Sequence, residues 1–380
     1  MKIGILTQPL HNNYGGLLQA YALQTVLKRM GHEAWIIDRD YPDTPLWRKS
    51  AIVIKNTLRR MIFKSNYVFP FWITGKQKEK IAENTSAFVA NNIYPKTEKI
   101  KSNKALRKKI KKWQFECYIV GSDQVWRPLY SPCITNYFLD FVKDKKNTGR
   151  IAYAASFGVD YWAFTEKQTK KCAELIKEFD AISVREDTGI SLSENYLKTK
   201  AIQTLDPTLL LNKSDYEELI PDTESMNTGN LMVYILDSTP DKTEIVNMVA
   251  KNNNLQAFSI MPDHTLSMAT KNEIKKCIFP SVTKWIRGFI DAEFVITDSF
   301  HGCIFSIIFN KPFIAIGNNE RGMTRFTSLL KIFNLEDRLI FTSDELTYDK
   351  LTSTVDWDKI NKIRSEKKDE SIQFLLNNIR

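Results

Sequence analysis

The segment Thr297-Asp298-Ser299-Phe300-His301-Gly302 places one of only four histidines beside a carboxylate and a hydroxyl. Histidine exchanges protons near neutral pH more readily than any other unperturbed side chain, so acid/base chemistry is the first candidate. A second candidate is Arg185, a long cation directly after the apolar run Ala181–Val184. Its guanidinium fork suits a carboxylate or phosphate, and a salt bridge to Glu186 or Asp187 would explain it equally well. Asp298 and Ser299 read either as ligand contacts or as helix N-caps. Asn13, Gly15 and Gly16 lie in His11-Asn12-Asn13-Tyr14-Gly15-Gly16, which suits backbone approach to a ligand or a tight turn. Ser122, Asp123 and Ser156 follow two further apolar runs, Asp123 reading as a helix cap or as a carboxylate for sugar hydroxyls. Arg321 and Arg325 are spaced for one helical face, at the surface or at a ligand.

These groups share a position in the pattern. Short apolar runs at Lys2–Leu6, Ala34–Asp38, Cys117–Val120, Ile151–Ala155, Ala181–Val184 and Ala201–Thr204 alternate with helical stretches such as Leu17–Met30 and Glu166–Phe179. That alternation predicts a doubly wound, parallel α/β domain over residues 1–211. A second set at Leu231–Leu236, Gln256–Ile260, Phe294–Ile296 and Pro312–Ile316 predicts another over 212–355, with Asn212–Asn230 as linker. Residues 48–112 read as a helical, basic insert within the first domain. The helical stretch Trp357–Asn378, within 356–380, is expected to pack back across both domains. Every candidate residue follows the carboxyl end of a predicted strand, where open α/β sheets bind ligands. The expected fold is two Rossmann-like domains facing a cleft, the architecture of B-type glycosyltransferases.

Composition bounds the function classes. At 380 residues the chain exceeds the size of one growing core, and 43% hydrophobic content supports two. Five scattered cysteines show no CxxC, which fits reduced thiols in a cytoplasmic protein. No apolar run reaches the roughly 18–20 residues of a membrane span. No spacing of His, Cys, Asp or Glu suits a metal, so no metal or cofactor is expected. The net charge of +10 is concentrated in Arg48–Lys80 and Lys96–Lys112. Between Trp47 and Trp72 basic residues interleave with aromatics, which suits peripheral contact with an anionic inner-membrane surface or a solvated basic helix. No nucleic-acid motif accompanies the charge.

The stretches HNNYGGLLQAYALQ near the start, YIVGSDQVW at 118–126, RIAYAASFG at 150–158, AISVREDTG at 181–189, LDPTLLL at 205–211 and TDSFHGCIFSIIFNKPFIAIGN at 297–318 resemble segments of polysaccharide pyruvyl transferases. The resemblance is ordered along the chain except for the insert and the last 30 residues. It implies a transferase moving pyruvate from phosphoenolpyruvate onto two hydroxyls of a capsule or exopolysaccharide precursor, free or lipid-linked, with release of phosphate. It implies that Arg185 holds the donor and that His301 is the general acid/base. Family members with better-known sites carry arginine two residues before that histidine, where this chain has Ser299. Arg321 or Arg325 is expected to supply the missing guanidinium. The readings weighed against this are a glycosyltransferase using a nucleotide sugar and a non-catalytic carbohydrate-binding protein.

Overall fold

The computed structural model describes residues 1–43, 45, 54–55, 74–142, 147–265, 271–318 and 322–379. Most of the aromatic, basic stretch between Trp47 and Trp72 and all of Arg321 lie outside the described residues. Among the described residues, eleven strands form two all-parallel sheets. The first contains β1 (Lys2–Leu6), β2 (Glu33–Ile36), β3 (Cys117–Val120), β4 (Gly149–Ala155), β5 (Ala181–Val184) and β6 (Ile202–Gln203), in the order β2-β1-β3-β4-β5-β6. The second contains β7 (Leu231–Tyr234), β8 (Ala257–Ser259), β9 (Phe294–Thr297), β10 (Phe313–Ile316) and β11 (Leu339–Ile340), in the order β11-β10-β9-β7-β8. Strands covered on both faces need no polar alternation, which is why β3, β9 and β10 are buried at every position.

Each sheet reverses its winding once. In the first the reversal falls between β1 and β3, and in the second between β7 and β9. A crevice opens at such a point because the connections leaving the two strands run to opposite faces of the sheet. Helix α1 (Tyr14–Arg29) leaves β1, and helix α2 (Phe300–Ile308) leaves β9. Both point their N-termini at the crevice edges.

The boundaries differ from the sequence pattern in three instructive places. Helix α1 starts at Tyr14 rather than Leu17, because Asn13 accepts a hydrogen bond from Gly16 N at 3.2 Å and caps it. Gly15 and Gly16 therefore belong to the first helical turn and not to the preceding loop. The segment predicted as a linker holds the helix Lys213–Glu217, whose Tyr216 is fully buried and meets Phe305 edge-on at 4.8 Å. Strand β11 has only two residues, too short to show a period.

One continuous apolar cluster joins both sheets' inner faces. Tyr14 of α1 stacks on Trp285 at 5.6 Å and donates its hydroxyl to Pro280 O at 2.9 Å. Trp285 lies in the helix Val282–Asp291 of the second sheet. The helix Trp357–Asn378 lies against residues 207–210 and against helix α3 (Thr324–Phe333). There Ser371 Oγ accepts a hydrogen bond from Leu205 N at 3.0 Å. Replacing the fully buried Trp285 by alanine should cost about 3–5 kcal/mol, as for other large-to-small core changes. W285A is expected to lower the thermal midpoint by several degrees. An unchanged midpoint would show that this contact does not hold the two sheets together.

Candidate functional site

The two crevices face one another. A pocket of about 330 Å³ lies between them, lined by Asn13 after β1, Asp123 and Gln124 after β3, Leu236 after β7, and Asp298–His301 after β9. Tyr130, Arg325 and Phe326 complete its wall. The pocket thus draws on the reversal point of each sheet.

His301 sits in the first turn of α2, buried except for 5% of its surface. Its position depends on residue 15. A Cβ built on Gly15 would lie 2.1 Å from both Cγ and Nδ1 of the imidazole, so only glycine lets α1 pack there. On its far side His301 Nε2 is enclosed and 3.7 Å from Asp206 Oδ2.

Asp206 is the hub of the buried polar network. Its Oδ1 accepts from Thr208 N at 3.0 Å and Thr208 Oγ1 at 2.7 Å. Its Oδ2 accepts from Arg185 Nη1 at 2.8 Å and from Ser122 Oγ at 3.2 Å. Burial alone would raise this carboxyl's pKa. The nearby His301 imidazole, the Arg185 cation and the Thr208 bond outweigh that and hold it well below the usual carboxylate range.

The Arg185 guanidinium is also enclosed, lying 4.4 Å from the Phe300 ring centre and 3.6 Å from Asp123 Oδ1. Burial disfavours its charge, but Asp206, Asp123 and Glu186 reverse the balance and raise its pKa. Of the two neighbouring carboxylates, Glu186 pairs with Arg185 at 4.0 Å and Asp187 faces Lys331, while Asp206 is closer than either at 2.8 Å. Arg185 does not line the pocket but touches two residues that do, Phe300 and Asp123, whereas Arg325 on α3 lines it directly. The Arg325 guanidinium lies 5.7 Å from the same ring. Its pKa is pushed down to about 10 by burial and by Arg185, with Asp123 and Glu186 opposing.

The remaining candidates divide. Asp123 does not cap a helix. It adopts φ 72° and accepts from Gln124 N at 2.8 Å, facing the pocket. Gly121 before it has φ 131°, and a Cβ there would lie 1.9 Å from Tyr153 O, so this turn needs glycine. Ser122 is fully buried and supports Asp206 rather than facing the pocket. Ser156 is equally buried, donating to Glu186 Oε1 at 3.0 Å. That same oxygen takes Phe157 N and Gly158 N, so Glu186 shapes this loop. Asp298 does not cap α2 either. It accepts from Leu236 N at 2.7 Å and Lys242 Nζ at 2.7 Å, clamping the ends of β7 and β9 together. Ser299 holds the cap position without a side-chain cap bond. Asn13 lines the pocket while capping α1, and Gly16 lies against its side chain.

Sequence reasoning did not single out Asp206, Glu186, Gln124, Tyr130 or Leu236 as site residues. For Asp206 the available signal was a lone carboxylate in the apolar run Leu205–Leu211, where an unpaired charge would be costly. Among the described residues no group of His, Cys, Asp and Glu side chains is arranged to hold a metal. No described helix is long and apolar enough to cross a membrane.

A family model described as polysaccharide pyruvyl transferase matches residues 13–320. The chain belongs to that family. As a member of it, the protein is a transferase. No curated protein matches it. Its fold is similar to that of UDP-GlcNAc 2-epimerase from Neisseria meningitidis bound to UDP-GlcNAc, with TM-score 0.50 and 9% identity over 100% of this chain and 99% of that one. S. aureus MnaA in its UDP co-structure is similar at TM-score 0.50 and 11% identity, over 98% of this chain and 89% of that one. A glycosyltransferase from Rickettsia africae aligns at TM-score 0.48 and 11% identity, over 99% and 94%. At such identities the likeness concerns the fold alone.

Two outcomes test this geometry. Alanine ordinarily favours a helix over glycine by about 0.5–1 kcal/mol. G15A should nevertheless displace the imidazole and reduce turnover at least a hundredfold or so, the cost of misplacing a reacting group by about 1 Å. Full activity in G15A would show that His301 does not need this packing. Separately, a depressed carboxyl pKa contributes stability that is present above its unfolded value and lost as pH falls through the folded one. The thermal midpoint should therefore decline as pH drops below about 3.8, the ordinary aspartate value, with Asp206 contributing to the slope. A D206N acid limb as steep as the wild type's would contradict that contribution.

Proposed function

We propose that the pocket binds phosphoenolpyruvate and a saccharide together and transfers pyruvate as a ketal onto two sugar hydroxyls. The observation that carries this reading is the convergence of His301 and Arg325 on one small polar pocket at the facing strand ends. A three-carbon enol phosphate carries a carboxylate and a phosphate, and a guanidinium fork matches either. Arg325 takes the donor's anionic groups, in place of the family arginine that Ser299 replaces. Arg185 adds its charge from behind Phe300, so its role differs from the direct donor contact that family resemblance implies. Asp123, Asn13 and Gln124, which line the same pocket, offer acceptors and donors to sugar hydroxyls.

The chemistry then needs one proton-handling group. A proton from His301 adds to the enol carbon C3, and C2 becomes oxocarbenium-like. A first sugar hydroxyl adds to C2 and returns its proton to the imidazole. The second hydroxyl displaces phosphate at C2 and closes the ring, its proton leaving with the phosphate. Removing such an acid/base group typically costs 10²–10⁴ in rate.

Phosphate release from phosphoenolpyruvate, assayed with a panel of saccharide acceptors, tests the reading directly. H301A is expected to lose turnover by about 10²–10⁴ while remaining folded at the assay temperature. R325M is expected to raise the donor KM at least tenfold, since a charge-assisted bidentate contact contributes over 1.4 kcal/mol. Release of a nucleoside diphosphate from a nucleotide sugar, with none from phosphoenolpyruvate, would make the protein a glycosyltransferase instead.

A further inference from the structure

We infer that Asp206 is a positioning residue that fixes the tautomer and orientation of His301 and couples the imidazole to Arg185. The inference deepens the proposed reaction and rests on it for the kinetic arm alone. Three donors hold the carboxylate, Thr208 N and Oγ1 on one oxygen and Arg185 Nη1 on the other, and Ser122 Oγ shares its one proton between that second oxygen and Ala154 O. The second oxygen also faces His301 Nε2, which is buried without a hydrogen-bond partner. A carboxylate held ionised is acceptor-only, so the nitrogen facing it must carry hydrogen. The neutral ring then has its lone pair on Nδ1, the nitrogen lying against Gly15 at the N-terminus of α1.

The 3.7 Å separation is too long for a formed hydrogen bond. Catalytic hydrogen bonds commonly tighten only when substrate is bound. When Nδ1 takes a proton from a sugar hydroxyl, the imidazolium formed is stabilised by the fixed charge of Asp206. The same oxygen holds Arg185, so the cation and the imidazole share one anchor. Asp206 touches neither substrate in this arrangement and acts wholly through those two side chains. Thr208, on the opposite oxygen, fixes the carboxylate's rotation without reaching His301.

The test is ¹⁵N NMR of full-length protein carrying labelled histidine, with H301Q used to identify the His301 signals. The wild type is expected to show Nε2–H at His301 in its neutral form. An Nδ1–H tautomer there would overturn the inference, with no variant needed. D206N removes the charge at constant shape and should shift His301 toward the other tautomer or a mixture. Its kcat should fall about a hundredfold or more, with the phosphoenolpyruvate KM within threefold of wild type. Equal tautomer populations in D206N and wild type would overturn the positioning role. If D206N does not fold, T208V supplies the kinetic comparison, with an expected severalfold loss in kcat and an unchanged donor KM; wild-type kcat in T208V would count against the inference. Absence of phosphate release by the wild type would defeat the proposed reaction, while the wild-type tautomer would still decide the arrangement of Asp206 and His301.

Discussion

The buried carboxylate of Asp206 is the constraint on which the rest of the site depends. An ion taken out of water is costly unless neighbours replace its hydration, and here they come from both halves of the molecule. Arg185 and Ser122 approach from the first sheet, and the histidine of α2 approaches from the second. Separating the sheets would leave Asp206 paired with Arg185, Ser122 and Thr208 but would remove His301 from its side. Around this core of polar groups the Tyr14–Trp285 stack and the helix Trp357–Asn378 supply the apolar contact area that holds the halves in register.

The topology explains why the pocket-lining groups meet. In each sheet one pair of neighbouring strands sends its connections to opposite faces, and each crevice contributes to the same pocket. Asp298 sacrifices its own capacity for ligands by clamping Leu236 and Lys242, which fixes the second crevice's edge. Arg325 on α3 reaches the same pocket from the next connection along the sheet.

Much of the fold was legible because parallel strands covered on both faces are written as unbroken apolar runs. Cys117–Val120, Ala181–Val184 and the helix Trp357–Asn378 have the boundaries their patterns predict. Strand β11 was invisible for lack of length, and the helix at Lys213–Glu217 was hidden by turn-forming neighbours. Within the site, residues directly after strand ends were easy to nominate, and Asn13, Asp123, Asp298, Ser299, His301 and Arg325 do share one pocket. Proximity to a strand end did not reveal depth, however. Ser122 and Ser156 turn inward to Asp206 and Glu186, and Arg185 is sealed beneath Phe300. Asp206 follows a strand of only two residues and pairs with groups 21 and 95 positions away, a relation no local pattern encodes.

The most direct measurement of the central claim is a crystal structure of the protein with phosphoenolpyruvate. The account predicts donor density between the facing strand ends, its anionic groups on Arg325 and its enol carbon within reach of His301, with Asp206 and Arg185 still paired behind. Donor density on another surface, or a pocket in which the Asp206–Arg185 pair has separated from His301, would contradict it.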